Sequence, residues 1–324
     1  MLYEFWLRRK RDVNLKFMMQ HTIQREVSCT GIGLHSGRKV LMKLRPAPPN
    51  FGVRFRRMDL GHHPAVIAHA HYVVNTALAT SIGSNGTTIS TIEHLMAALY
   101  VSSIDNVLVE LDGPEVPIFD GSAGPLLEVL DEAGLKEQST QRQCMLITRP
   151  MLLREGEAFI KATPADDFQI RYTIDFPHPL VGKQTLQWSF NETTFGRDIA
   201  RARTFGFLKD VEKLQSRGLA QGGSLANAVV FDDFRILNQD GFRYIDECVR
   251  HKILDFMGDL ALAGKPIFGR FDVHKAGHTL HTAFIKQLLS LPGQHSVSTP
   301  RYRPASFFPF ASPLPICGPN PTFS

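Results

Sequence analysis

The chain has 324 residues, 43% hydrophobic and 21% charged, the balance of a soluble globular protein with ample material for a core. No apolar run approaches the ~20 residues of a membrane span, so no integral membrane segment is expected. The formal charge of +5 sits at the ends: residues 1–17 hold five basic side chains against two acidic ones, and 293–324 add Arg301 and Arg303. The body between them is neutral and lacks the basic face that binding to nucleic acid needs.

The opening stretch MLYEFWLRRKRDVNLKFMM places its apolar residues ahead of its charges and has no small-residue cleavage site, so it does not read as a secretory signal. Residues 1–19 are taken as an N-terminal extension without fixed structure. Domain I, 20–134, begins with strand-like runs (TIQREVSCTGIGL, KVLMKLRP, GVRFRR) separated by turn residues. A helix pattern follows in STIEHLMAALYV, then a strand in NVLVELDG, then a helix in AGPLLEVLDEAGL that Gly134 should stop. The Gln-rich stretch LKEQSTQRQ, 135–143, reads as a linker.

Domain II, 144–292, repeats the order. Strands are predicted at 144–148, 158–163 and 168–175, helices at 207–217 and 245–263, a strand at 267–273 and a helix over 278–290. From Gly293 the chain mixes Pro, Ser and Phe without period and is expected to be a loose tail, 293–324. Strands followed by helices, twice, predict an α+β fold of two similar layered domains. Cys29, Cys144, Cys248 and Cys317 are scattered without a Cys-x-x-Cys pair. That favours a reducing compartment, and a cytoplasmic monomer is expected.

Chemistry concentrates in four stretches. In RHKILDFMGD, a helix places His251, Asp255 and Asp259 within roughly 80° of one another. A hydrolytic zinc site commonly has three His or carboxylate ligands and keeps one position for water, and His251 and Asp255 could supply two of them. Phe256, Leu260, Ile253, Met257 and Ala261 cover the opposite arc, so the same stripe could equally face solvent. In STIEHLMAAL, Glu93 and His94 are adjacent on an apolar helix and diverge by about 100°, which suits one ligand and one neighbouring base rather than a chelating pair. In HKAGHTLH, Gly277 separates His274 on the strand side from His278 and His281 at a helix start, where the dipole eases proton donation. ARARTFGF puts the Thr204 hydroxyl and two aromatics beside a glycine; an ordinary turn threonine is the simpler alternative.

Taken together, GIGLHSG (31–37), TIEHLMAAL (91–99), DGPEVPIFDGSA (112–123), RARTFGF (201–207), HKILDFMGD (251–259) and HKAGH (274–278) resemble the UDP-3-O-acyl-N-acetylglucosamine deacetylases. These are zinc amidases of lipid A biosynthesis in Gram-negative bacteria. The resemblance runs from about residue 20 to 290 and implies two α+β domains with helices packed between two sheets. It implies one zinc ion per chain, held by His94, His251 and Asp255. It further implies hydrolysis of the N-acetyl group of a UDP-linked acylated glucosamine, with release of acetate as the committed step of lipid A synthesis.

By the same resemblance, Glu93 is the general base, His278 the cationic acid held by Asp259, and Thr204 an oxyanion donor. Lys252 and Lys275 lie near the sugar-phosphate, Phe205 against the hexose and Phe176 against uracil, although Pro177 stands where an asparagine often follows that phenylalanine. The insert near 206–230 would form an apolar passage for the acyl chain, with Phe207, Val211, Leu219 and Val230 as candidates to line it. Helix packing is an equal alternative for each of those four. His274 and His281 fall outside the family's functional positions and are expected to have incidental surface or packing roles. A zinc amidohydrolase for another acylated amine and an inactive nucleotide-sugar sensor are the rival readings.

Overall fold

The computed structural model of the chain describes residues 19–190 and 192–299. The expected N-terminal extension up to residue 18 and the tail from residue 300, with Cys317, lie outside the described residues. Among the described residues, no helix is long and apolar enough to cross a membrane.

The first half contains β1 (Met19–Ile23), β2 (Val27–Ile32), β3 (Lys39–Pro46), β4 (Val53–Arg57), β5 (Ala65–Ile67), β6 (Val73–Asn75), β7 (Ser81–Ser84) and β8 (Thr87–Ile89). Helix α1 (Glu93–Val101), β9 (Val107–Leu111) and helix α2 (Gly124–Ala133) complete it. Five strands make one sheet in the order β2-β3-β9-β4-β5, with β4 and β9 parallel and the other neighbours antiparallel. Residue types dictate its faces. In β3, Val40, Met42 and Leu44 are buried while Lys39, Leu41 and Arg45 are exposed, the two-residue period of a half-buried strand.

The second half contains β10 (Leu135–Gln141), β11 (Cys144–Ile147), β12 (Met151–Glu155), β13 (Ala158–Thr163), β14 (Phe168–Phe176) and β15 (Gly182–Ser189). Then come α3 (Glu192–Asp198), β16 (Phe205–Phe207), α4 (Leu208–Gln215), β17 (Val229–Phe231), α5 (Glu247–Leu260), β18 (Ile267–His274), α6 (His278–Ser290) and β19 (His295–Ser298). A seven-stranded sheet is organised around β18, which pairs with β14 along one edge and with β11 and then β13 along the other. Ile267, Gly269, Phe271 and Val273 of β18 point into the core.

Helices α1 and α5 pack against each other inside the molecule. All of α1 except Tyr100 is buried, as are twelve of the fourteen residues of α5. Gly258 stands at their crossing: a Cβ there would lie 2.0 Å from the Glu93 carbonyl oxygen, so the two backbones could not come this close with any other residue.

Two expected boundaries are corrected. The segment 135–143, read as a linker, carries β10, which pairs antiparallel with β1. Its polarity misled because this two-stranded ribbon is half exposed; its contacts are polar, with Gln138 accepting from Asn106 and donating to the Ala47 carbonyl. The segment expected to be loose from Gly293 begins with β19, which pairs antiparallel with β11 and so adds a seventh strand to the second sheet. The other predicted elements stand, with α4 and α5 shorter than their patterns suggested and Gly134, at φ 70°, ending α2.

Candidate metal centre and active site

The polar stripe on α5 does not face water: His251, Asp255 and Asp259 are all buried, because α1 and α6 cover it. His251 Nε2 lies 3.3 Å and His94 Nε2 3.6 Å from Asp255 Oδ1. The two imidazoles meet edge to face, with centroids 5.0 Å apart and planes at 85°. The three donor atoms all lie within 4.8 Å of one another. A tetrahedral ion with bonds of about 2.0–2.1 Å sets its donor atoms roughly 3.3 Å apart, so this trio can hold a divalent metal ion with little movement.

The charge states fit as well. His251 Nδ1 is 3.0 Å from the Ala202 carbonyl, and as donor there it directs the Nε2 lone pair at the site. Burial, against the pull of Asp255, drives His251 down to about 4, so it is a neutral ligand. Burial opposes charge on Asp255, but the neighbouring His251 and Lys252 outweigh it and hold the carboxyl well below the usual carboxylate range. With His251 neutral, Lys252 supplies positive charge beside the carboxylate, its Nζ donating to Asp255 Oδ2 at 2.7 Å.

Glu93 opens α1, and its Oε2 accepts the Thr80 backbone N–H at 3.0 Å. Burial lifts its carboxyl above the usual range, with His278 and His94 opposing. His278 begins α6, and its Nδ1–H donates to Asp259 Oδ2 at 2.7 Å. Burial alone would lower this imidazolium; the charge and hydrogen bond of Asp259 prevail and raise it to about 9. Glu93, His94, His251, Asp255, His278 and Thr204 line one small cavity, walled elsewhere by residues that include Leu34, Leu78 and Ile118. Two carboxylates, three imidazoles and a hydroxyl thus converge on one small space. A larger cavity, about 280 Å³, lies between the end of α1 and α2 and contains no such chemistry.

A family model described as UDP-3-O-acyl N-acetylglycosamine deacetylase matches residues 20–290. A Myxococcus xanthus protein named UDP-3-O-acyl-N-acetylglucosamine deacetylase is 47% identical over 88% of this chain and 90% of its own length. Proteins of the same name from Anaeromyxobacter dehalogenans and Acidithiobacillus ferrooxidans are each 46% identical, over 86% and 83% of this chain and 90% of their own length. The chain belongs to the UDP-3-O-acyl N-acetylglycosamine deacetylase family.

The remaining residues singled out from the sequence of this deacetylase-family protein fall in three places. Phe176, Phe205 and Phe207 form an aromatic cluster beside the cavity: Phe176 meets Phe205 edge-on at 5.4 Å and Phe207 at 5.8 Å, and Phe205 lies 6.4 Å from His251. Val211, Leu219 and Val230 are half-buried, Val230 opposite Gly206 in the β16–β17 pair, and α4 has no fully buried residue. Lys275 lies further out, its Nζ donating to Glu157 at 2.9 Å and Asp175 at 3.2 Å.

Of the two histidines expected to have surface or packing roles, His281 is fully buried, and its Nδ1 lies 2.8 Å from the same Asp259 oxygen that His278 uses. His274 does lie apart, stacked on Phe159 at 5.3 Å. Asp259, His278 and His281 also converge closely enough to suggest a second ion, but their 2.7 and 2.8 Å contacts are hydrogen bonds with the proton between the atoms. Thr80 was missed altogether. Its stretch, ATSIGS, reads as common strand residues, and no spacing ties position 80 to 259.

Proposed function

We propose that this protein removes the N-acetyl group of UDP-3-O-(3-hydroxyacyl)-N-acetylglucosamine by hydrolysis, releasing acetate, with one zinc ion held by His94, His251 and Asp255. The observation that carries this reading is the convergence of Glu93, His278 and the N, N, O donor trio on one cavity, in a chain whose relatives bear the deacetylase name. Two neutral-to-anionic donor types with a place left for water are the chemistry of hydrolytic zinc. When bound, zinc lowers the pKa of water from about 15.7 toward about 7 and polarises a carbonyl.

The protein's own groups do the rest. Glu93, desolvated and aimed by the Thr80 N–H, takes a proton from the attacking water; its raised pKa brings it closer to the working range of a general base. His278, kept cationic by Asp259, offers charge to the oxygen of the developing anion and a proton to the departing amine. The Thr204 hydroxyl donates to the same oxygen. Lys252 fixes Asp255 on the metal side and adds positive charge near the sugar.

Phe205 receives the hexose face, Phe176 the uracil, and Lys275 the diphosphate after exchanging its carboxylate partners for phosphate oxygens. Phe207, Val211, Leu219 and Val230 guide the acyl chain, whose burial contributes ~0.8 kcal/mol per methylene. The enzyme acts in the cytoplasm as a monomer of two α+β domains, 20–134 and 144–292, within the lipid A pathway of a Gram-negative cell. Mass spectrometry of the UDP-acyl substrate incubated with purified protein, with and without a chelator, tests this. Loss of an acetyl group only in the metal-replete sample supports it; loss that persists after the metal is stripped, or no loss at all, defeats it.

A further inference from the structure

We propose that Thr80 and His281 are positioning residues for the acid–base pair: together they fix the Asp259 carboxylate that orients His278, and Thr80 also sets where Glu93 stands. The roles of Glu93 and His278 rest on the hydrolytic reading above; the geometry does not.

Asp259 is gripped by three donors. Its Oδ2 accepts the Nδ1–H of His278 at 2.7 Å and of His281 at 2.8 Å, and its Oδ1 accepts the Thr80 hydroxyl at 2.5 Å. All four side chains are buried, so no water replaces a lost partner. A carboxylate held by His278 alone could turn about its terminal torsion, which is soft. With donors fixed on the turn before β7 and on α6, turning breaks at least two bonds to buried groups.

Thr80 has a second function. Its backbone N–H ends on Glu93 and its O–H on Asp259, so one residue of the first half sets the separation of base and acid. Branching at Cβ restricts its side-chain rotation and makes the spacing stiff. His281 is itself held. Its Nε2 lies 3.1 Å from the Tyr172 hydroxyl, which also sits 2.7 Å from the Ala276 carbonyl, two residues before His278. Phe256 packs edge-on against its ring at 5.0 Å.

The test uses full-length, metal-loaded protein. Thr80→Val keeps the shape and the N–H to Glu93 and removes only the hydroxyl; Thr80→Ser restores it. His281→Leu removes the second donor, and His281→Asn keeps an N–H. Thr80→Val and His281→Leu should lower kcat by about 10–100-fold. KM should stay within about twofold and metal content should not change, since the lost contact acts on the reacting groups and not on ground-state binding. Thr80→Ser and His281→Asn should recover most of the loss.

A purely structural role would lower the thermal midpoint, leave kcat per folded molecule unchanged and show no such recovery. Thr80→Val turning over at the wild-type rate overturns the proposal. A second reading needs no turnover: the His278 Nδ1–H resonance in 15N-histidine-labelled protein should be sharp in wild type and Thr80→Ser and exchange-broadened in Thr80→Val and His281→Leu. Equal sharpness in all four overturns the proposal even if wild type ignores the UDP substrate, a result that counts against the proposed function alone.

Discussion

Gly258→Ala should damage the centre without touching a ligand. Two effects compete. Alanine is the better helix former by about 1 kcal/mol, so on propensity alone the change stabilises α5. Against it, the new methyl would lie 2.0 Å from the Glu93 carbonyl oxygen, 2.7 Å from its carbon and 3.0 Å from its Cα, where ordinary contact begins near 3.4 Å. These are backbone atoms and cannot rotate away, so the helices must part by about 1.4 Å at that point, an overpacking cost near the upper end of ~1–3 kcal/mol. The net loss is about 2 kcal/mol, or roughly 3 °C in thermal midpoint for a chain of this size.

The displacement matters more than the energy. Ligand distances at such sites tolerate about 0.2 Å, and His94 follows Glu93 directly, so metal affinity should fall by at least about tenfold. Differential scanning calorimetry and zinc titration monitored by competition with a chromophoric chelator measure both. A variant with wild-type midpoint and affinity would refute the idea that the helix crossing fixes the site.

Glu93→Ala should retain metal and lose at least ~10²-fold in turnover, the usual cost of a missing general base; undiminished activity would remove Glu93 from that role. His274→Ala should leave metal content unchanged by atomic absorption, since its ring stacks on Phe159 away from the cavity; metal loss would overturn the ligand set. Arg203→Met should destabilise by about 3–5 kcal/mol in urea unfolding. Arg203 donates to Glu247 at 2.8 Å with both side chains almost wholly buried, and the change strands the carboxylate; a shift under 1 kcal/mol would show that water reaches it.

What could be read from the sequence follows from what a pattern records. Period two in β3 and the buried apolar faces of α1 and α5 report local burial, and those elements were legible. Polarity on the α5 stripe reports only that polar groups share a face, not what covers that face, so on the stripe alone a solvated face is the simpler reading and only the family motifs favour a buried centre. The polar β10 was mistaken for a linker because a two-stranded ribbon at the surface needs little apolar content. The contacts of Thr80 and His281 are not legible in sequence because they depend on where Asp259 ends up, 179 and 22 positions away.

His94 rides on a helix of the first half, and His251 and Asp255 on a helix of the second. Any ion they hold is therefore a non-covalent staple between the two lobes, and its affinity becomes a gauge of how well they fit together. Severing the chain between them should leave two fragments that each bind metal poorly and regain tight binding only on reassociation. A substitution anywhere along the shared seam can then masquerade as a metal-site defect.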